Sequence, residues 1–433
     1  MFTRRAEPVL SNDGRTFLSI PAGFGILTVP TFSSTARNFL LDEFYSLNDG
    51  LCSPHQISSA LHNLDGRAIR NCAPVHFRVA APSPQRLCLD LSTAGGDYVE
   101  ISPAGFQLAT GRQCRFENSP AFLPNCAPAD PGPADPDPLE TLRATLHIPD
   151  DENWLRLLAW LLTALHPEGP FPILLLRGPS ASGKSVAARA LRGLIDPVHD
   201  PLHEPTTAPR LLALARRHWI VALDRVRRLT PKLAEALCRL SSGVAVTVRE
   251  PGDEPRALWT KRPIILTVND DFEIPEEIAD RVFCVTLPAL ARRRPEAALL
   301  EDLTPSLPQI LGALCHAMSR ILANPPDPRA SYATRFPHTL ALAQAAFPGR
   351  DFLSALNAPL PLPANLRPLQ EFVRQNPSWS GTATDLLDAL PALTFTPRAL
   401  SAAIRRLKIP VTFHRTHGGT RILTFASPAG AVQ

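Results

Sequence analysis

Lysine is nearly missing from this sequence: among 433 residues only Lys184, Lys232, Lys261 and Lys408 occur, so arginine carries almost all the positive charge. With 47 prolines alongside, this Ala/Arg/Pro bias has the look of coding composition, and arginine abundance alone identifies no function. Paired cysteines are missing too. Cys52, Cys72, Cys88, Cys114, Cys126, Cys238, Cys284 and Cys315 are scattered, with no C-x-x-C and no histidine cluster at zinc spacing. That excludes the usual zinc modules and leaves a reduced interior as the simple reading. No apolar run is long enough to span a bilayer: the longest, Trp154 to Leu165, is interrupted by Arg156. No signal peptide opens the chain, and a cytoplasmic location is expected.

What is present fits a folded, multidomain chain, with 45% apolar and 19% charged residues over a length beyond one ordinary core. The net charge of +4 is unevenly spread. Beyond residue 330 ten basic residues face only Asp351, Glu371, Asp385 and Asp388, so the tail stands at +6 and the remainder at −2. Any nucleic-acid surface is therefore sought first at the C-terminus.

The pattern divides the chain into five parts. Residues 1–125 read as an α+β accessory region: Ser33 to Leu47 has helical spacing, Ser53 can cap a second helix, and short strands between Val75 and Phe116 predict an antiparallel sheet. Residues 126–149 are a Pro/Asp-rich linker. Alternating strands and helices over 150–290 predict a parallel α/β core, 291–365 a helical connector, and 366–433 a compact closing unit.

Within the core, Gly178-Pro179-Ser180-Ala181-Ser182-Gly183-Lys184-Ser185 satisfies GxxxxGK[ST] at every fixed position, after the apolar strand PILLL and before an amphipathic helix. Such glycines let backbone amides turn toward phosphate oxygens at a helix N-terminus. Lys184 would reach the β- and γ-phosphates of ATP, and the Ser185 hydroxyl would ligate Mg²⁺. A second metal-directed group is Asp224, at the end of HWIVALD, where it can hold Mg²⁺ through water or simply cap a turn. Arg225 follows it where a hydrolytic carboxylate would be expected, so no general base is visible. A third strand ends at Asn269, which can orient a γ-phosphate or serve only its turn. Arg281, just before VFCVTL, can act as a finger on a neighbouring subunit or pair with Asp280.

The order of these elements resembles the compact ATPase core of superfamily-3 helicases and related phage and plasmid replication ATPases. A Leu-rich segment with Ser-Ser-Gly (LCRLSSG) leads into VAVTVRE, a Pro-Gly turn and RALWTKRPIILTVN. DYVEISPAGF, LLAWLLTALHPEGPFP and the ending W-GTA-LL-AL extend the resemblance over most of the chain, from about residue 30 to 425. It implies an AAA+-like P-loop fold, nucleotide roles for Lys184, Ser185, Asp224, Asn269 and Arg281, and a β-hairpin facing DNA with Arg249 near its tip. It also implies a homo-oligomer, such as a ring. The hairpin region is not strongly basic, a departure from that pattern.

At the end of the chain, TATDLLDAL and PRALSAAIRRL read as two helices, and VTFHRT and TRILTF as a hairpin around His417-Gly418-Gly419. That is a winged-helix layout, with Arg398, Arg405 and Arg406 on the second helix and Arg415 and Arg421 on the wing, suited to DNA or, with the arginines merely solvated, to protein contact. Three functions remain open: a helicase-like DNA-acting ATPase of a phage or other mobile element, an ATP-binding regulator with little hydrolysis, and a small-molecule kinase. Primase chemistry is not expected. Asp90 has no second carboxylate on a matching strand, and Asp130, Asp135 and Asp137 sit among prolines.

Overall fold

The computed structural model describes residues 5–425 apart from 24, 112, 133–135, 206, 249–255, 291–294, 328, 330, 362, 377, 392, 394–395, 398–399, 402–403, 405–410 and 416–420. The chain opens with β1 (Glu7–Leu10), β2 (Thr16–Ala22) and β3 (Gly25–Pro30), an antiparallel sheet. These strands are not among those the sequence pattern predicts. Phe17 to Ile20 of the middle strand are buried in succession, so no polar/apolar alternation marks it. Helices α1 (Ser34–Asn48) and α2 (Pro54–Ala68) start where expected, at Ser33 and Ser53. Ser53 Oγ accepts from Gln56 N at 3.3 Å while Gln56 Oε1 accepts from Ser53 N at 2.9 Å, a reciprocal cap of the kind worth about 1 kcal/mol. Leu40, Ile57, Leu61 and Leu64 then close over Leu18 and Ile20.

A second antiparallel sheet, β5 (Val79–Ser83), β6 (Arg86–Asp90), β7 (Tyr98–Ser102) and β8 (Gly105–Ala109), matches the expected strand run. Its expected first and last members behave differently: β4 (Val75–His76) and β9 (Arg115–Phe116) pair parallel with each other. The cause is Arg78, whose φ of 62° breaks VHFRV in two and turns its side chain inward. The Arg78 guanidinium is fully buried, donating to Asp196 Oδ1 at 2.8 Å and to the Pro197 carbonyl at 2.9 Å, and paired with Asp90 at 3.3 Å. Asp196 also faces Arg192 at 3.4 Å and accepts from Ile220 N at 3.0 Å. Burial pushes the Asp196 carboxyl up, but Arg192, Arg78 and that amide outweigh it and hold it below its ordinary value. This ion cluster fastens the N-terminal sheet to the core. The Pro/Asp-rich stretch is held as well: Ala129 N donates to the Pro308 carbonyl at 2.9 Å, and Asp137 caps α3 (Pro138–Thr145).

Helix α4 (Asp151–Ala164) is capped by Asp150 and buried along almost its whole length. Arg156, which interrupts its apolar run, donates to the carbonyls of Ala355, Cys284 and Ala358 at 2.8–3.0 Å. It bolts the helix to the core. Beside it lies the expected parallel sheet, in the order β11 (Val221–Val226), β14 (Ile264–Val268), β10 (Ile173–Arg177), β15 (Val282–Thr286). Both faces are covered, and β10 shows how: Leu174 and Leu176 join the core with α4, whereas Ile173 and Leu175 point to the other side. Helix α5 (Lys184–Ile195) packs on the first face, and α6 (Ala208–Ala215) and α7 (Pro231–Ser242) on the second. Between α7 and β14 stand the antiparallel strands β12 (Val244–Val248) and β13 (Arg256–Thr260).

Helices α8 (Glu276–Ala279), α9 (Glu296–Leu303), α10 (Leu307–Ala323), α11 (Pro337–Ala346) and α12 (Phe352–Asn357) complete this part. The closing unit comprises α13 (Arg367–Gln375), β16 (Ser380–Gly381), α14 (Ala383–Ala389), β17 (Val411–Arg415) and β18 (Arg421–Phe425), with a small core of its own around Leu369, Leu386 and Leu423. Pro397, Leu400, Ser401 and Ile404 have helical backbone. Among the described residues no helix is long and apolar enough to cross a membrane.

Candidate nucleotide site

Strand β10 ends at Arg177, whose buried guanidinium donates to the carbonyls of Pro361 and Phe272 at 2.6 and 2.7 Å. That fixes the point from which the loop 178–183 departs. A Cβ on Gly178 would overlap the Leu287 carbonyl and the Ser182 hydroxyl, so only glycine fits. Gly183 turns the chain into α5 with φ 82°, in the left-handed region that glycine enters without penalty. No side chain caps α5, which leaves its first amides to a ligand.

Lys184 Nζ reaches back over the loop, donating to the carbonyls of Gly178 and Pro179 at 2.8 and 2.6 Å and to Ser182 Oγ at 3.3 Å. Burial lowers its pKa from the ordinary ammonium value, against the opposing pull of Asp270 and Asp224. Ser185 Oγ donates to Asp224 Oδ1 at 2.8 Å. A hydroxyl and a carboxylate brought this close at a helix N-terminus form an all-oxygen pair of the kind Mg²⁺ takes, and they fit that ion.

Thr267, which no sequence motif marks, completes the group. From β14 it donates to Asp224 Oδ1 at 2.5 Å and accepts from Arg225 N at 2.7 Å. Its only sequence signal is a hydroxyl inside the buried strand IILTV. The β11–β14 register shifts between Leu223 and Val226, and Arg225 lies in that irregularity with φ 55°. Its guanidinium is 87% exposed and 3.5 Å from Asp224 Oδ2, so it covers the carboxylate from the solvent side.

These groups border a cleft of about 430 Å³ lined by the loop, Arg225, Thr267 and Asn269. Lys184, Ser185, Asp224 and Asn269 are thus gathered in one place. The cleft wall also holds Glu296, paired with Arg189 at 2.9 Å, a carboxylate that sequence spacing does not reveal. Arg281 is not part of this gathering. It precedes β15, at the end of the sheet away from the loop, bonded to Ser242 Oγ at 2.6 Å and 3.8 Å from Asp280. Asp280 has a shorter pair with Arg335, at 3.0 Å. In the closing unit, Arg415 and Arg421 are exposed and stand directly opposite each other across β17 and β18. Arg249, Arg398, Arg405 and Arg406 lie outside the described residues.

Comparison with known proteins adds the following. A family model described as actinomycete integrative conjugative element replication protein matches residues 144–360. No curated protein matches the sequence. Among solved structures, the apo C-terminal region of NrS-1 is 10% identical, with 98% of this chain and 97% of that chain covered and a TM-score of 0.41. The active helicase Cch of SCCmec type IV is 12% identical, with 98% and 94% covered and a TM-score of 0.36. A JCV helicase with a bound phenylacetamide compound is 17% identical, with 41% of this chain and 58% of that chain covered and a TM-score of 0.25.

Proposed function

Since this chain belongs to the family of actinomycete integrative conjugative element replication proteins, we propose that it is an ATP-hydrolysing, helicase-like motor acting on DNA during replication of such an element. The observation that carries the reading is the Ser185–Asp224 bond beside Lys184, which assembles a phosphate grip and a metal-directed oxygen pair in one cleft. In this reading the loop amides and Lys184 bind the β- and γ-phosphates, and Ser185 and Asp224 hold Mg²⁺. The ion would neutralise phosphate charge as the terminal bond breaks. Thr267 orients the Asp224 carboxylate, and Asn269 positions the γ-phosphate or the attacking water. Arg281, remote from its own cleft, serves a neighbouring subunit in a homo-oligomer. The closing unit acts as a winged helix, and the like charges of Arg415 and Arg421 call for an anion between them, such as a DNA phosphate. All eight cysteines are free thiols, in keeping with work in the cytoplasm.

One observation favours a second reading, an ATP-binding regulator with little turnover: the arginine over Asp224 stands where hydrolytic enzymes of this kind carry an acid. The deciding experiment measures ATP turnover by the full chain alone, with single-stranded DNA and with duplex, beside Lys184→Ala. DNA-stimulated turnover that Lys184→Ala abolishes supports the motor. ATP bound tightly without turnover under all three conditions sinks it in favour of the regulator.

A further inference from the structure

A second cleft, of about 510 Å³, lies where the N-terminal sheet meets the core. Four guanidiniums reach it from three separate segments, against one carboxylate, Glu117. Arg15, from the β1–β2 turn, is already paired with Asp13 at 2.8 Å and Glu117 at 2.7 Å. The other three are different. Arg216 and Arg217, at the end of α6, are exposed, and among the described residues neither they nor Arg262 has an ion pair. Arg262, just after β13, stacks against Phe77 at 5.0 Å and Trp219 at 5.4 Å and donates to the carbonyls of Ala215 and His218 at 2.9 and 3.1 Å. Burial lowers its pKa to about 10, which leaves it cationic at neutral pH.

Two further groups point to a ligand. Thr31 lines the cleft, is 1% exposed, and its hydroxyl has no hydrogen-bond partner. A buried polar atom left bare is costly and is tolerated where something else satisfies it. Next to it Phe32 is 51% exposed, its ring braced edge-on by His62 at 5.2 Å. A structural role for the arginines, offsetting the carbonyl end of α6, accounts for neither of these.

We propose that this cleft binds single-stranded DNA, with phosphates on Arg216, Arg217 and Arg262, the Thr31 hydroxyl on the backbone and an unpaired base on Phe32. A duplex keeps its base faces stacked and cannot offer one to an exposed ring, whereas a single strand can. The inference rests on the DNA-acting reading above and gives the N-terminal region, which the nucleotide site leaves without a task, a share in it.

The test is fluorescence anisotropy of the full chain with a labelled oligo-dT of about 20 nucleotides, without ATP, over a series of salt concentrations. Arg216→Glu combined with Arg217→Glu is expected to weaken binding at least tenfold. It should also flatten the slope of log K against log salt by about 1.4, the share of two phosphates on a single strand. Phe32→Ala is expected to weaken binding about tenfold with the salt slope unchanged. Mg-ATP affinity should stay at the wild-type value in both. If the double exchange lowers the melting temperature, Phe32→Ala alone decides. Wild-type oligonucleotide affinity in both variants overturns the cleft, and the cleft only, provided DNA still stimulates the wild-type ATPase. A wild-type chain that binds no single strand overturns the cleft and the DNA-acting reading together.

Discussion

The nucleotide cleft and the basic cleft are built on opposite plans. The first is centred on one uninterrupted segment, Ser180 to Val186, completed by the ends of β11 and β14 and by Glu296. The second gathers Arg15, Thr31, Arg216 and Arg262, which lie far apart in sequence and meet only because an entire N-terminal sheet is docked on the core. A site of the first kind survives any rearrangement that spares its loop. A site of the second kind depends on the docking, and the docking depends on the buried cluster of Arg78, Arg192 and Asp196.

The largest effect expected is therefore at Asp196, and it should separate the two clefts. Asp196→Ala leaves the buried Arg192 without a carboxylate and Arg78 with Asp90 alone, a loss that costs about 3–5 kcal/mol when one partner of a buried ionic group is removed. Urea unfolding followed by tryptophan fluorescence would register it as a clear drop in midpoint. A loss under about 1 kcal/mol would mean that the cluster does not hold the parts together. Lys184→Ala should do the reverse: the unfolding midpoint stays close to wild type, while Mg-ATP affinity in equilibrium dialysis falls ten- to hundredfold, in line with about 1.5–3 kcal/mol for hydrogen bonds to a charged group. Undiminished ATP binding would remove the basis of the nucleotide site. Thr267→Val keeps the shape of a buried residue but removes the donor to Asp224 Oδ1 and the acceptor for Arg225 N. Turnover is expected to fall about tenfold, ~1.4 kcal/mol, with little change in ATP affinity. An unaltered rate would make the hydroxyl a packing detail.

The same contrast explains what could be read from the sequence. The P-loop was legible because its chemistry is local: glycines, one lysine and one serine at fixed spacing between a strand and a helix. Asp224 and Asn269 were legible as polar ends of apolar strands. Thr267 was not, since a threonine within IILTV reads equally as an ordinary β-former, and only the β11–β14 register places it against Asp224. The meander β5 to β8 was legible from its turns. The sheet β1 to β3 was not, because its middle strand is buried through consecutive residues and carries no alternation. Arg78 read as one more residue of a strand; its positive φ and its reach to Asp196 are tertiary facts. The basic cleft shares that invisibility, since no window of sequence contains more than two of its arginines.

Acid offers the gentlest probe of the junction on which the comparison turns. His166 is lowered to about 4, first by burial and then by His338, whose ring lies 5.0 Å away. His218 is lowered to about 3 by burial and the positive charge of Arg192. His76, His203 and His338 are likewise lowered, chiefly by burial. Each is neutral in the folded chain at a pH where the unfolded chain, with a histidine pKa of about 6.5, already takes up a proton. The unfolded state therefore binds more protons, and stability is complete above about pH 6.5 and declines as pH falls toward 4. Two of these histidines touch the clefts through their backbones: the His218 carbonyl accepts from Arg262 beneath the basic cleft at 3.1 Å, and the His203 carbonyl accepts from Asp224 N beside the nucleotide cleft at 2.8 Å. Urea midpoints at pH 7 and pH 5 should differ measurably in the wild type and by less in His218→Gln. Equal midpoints at the two pH values would mean that these rings are already charged in the folded protein, and that the junction is wetter than its packing implies.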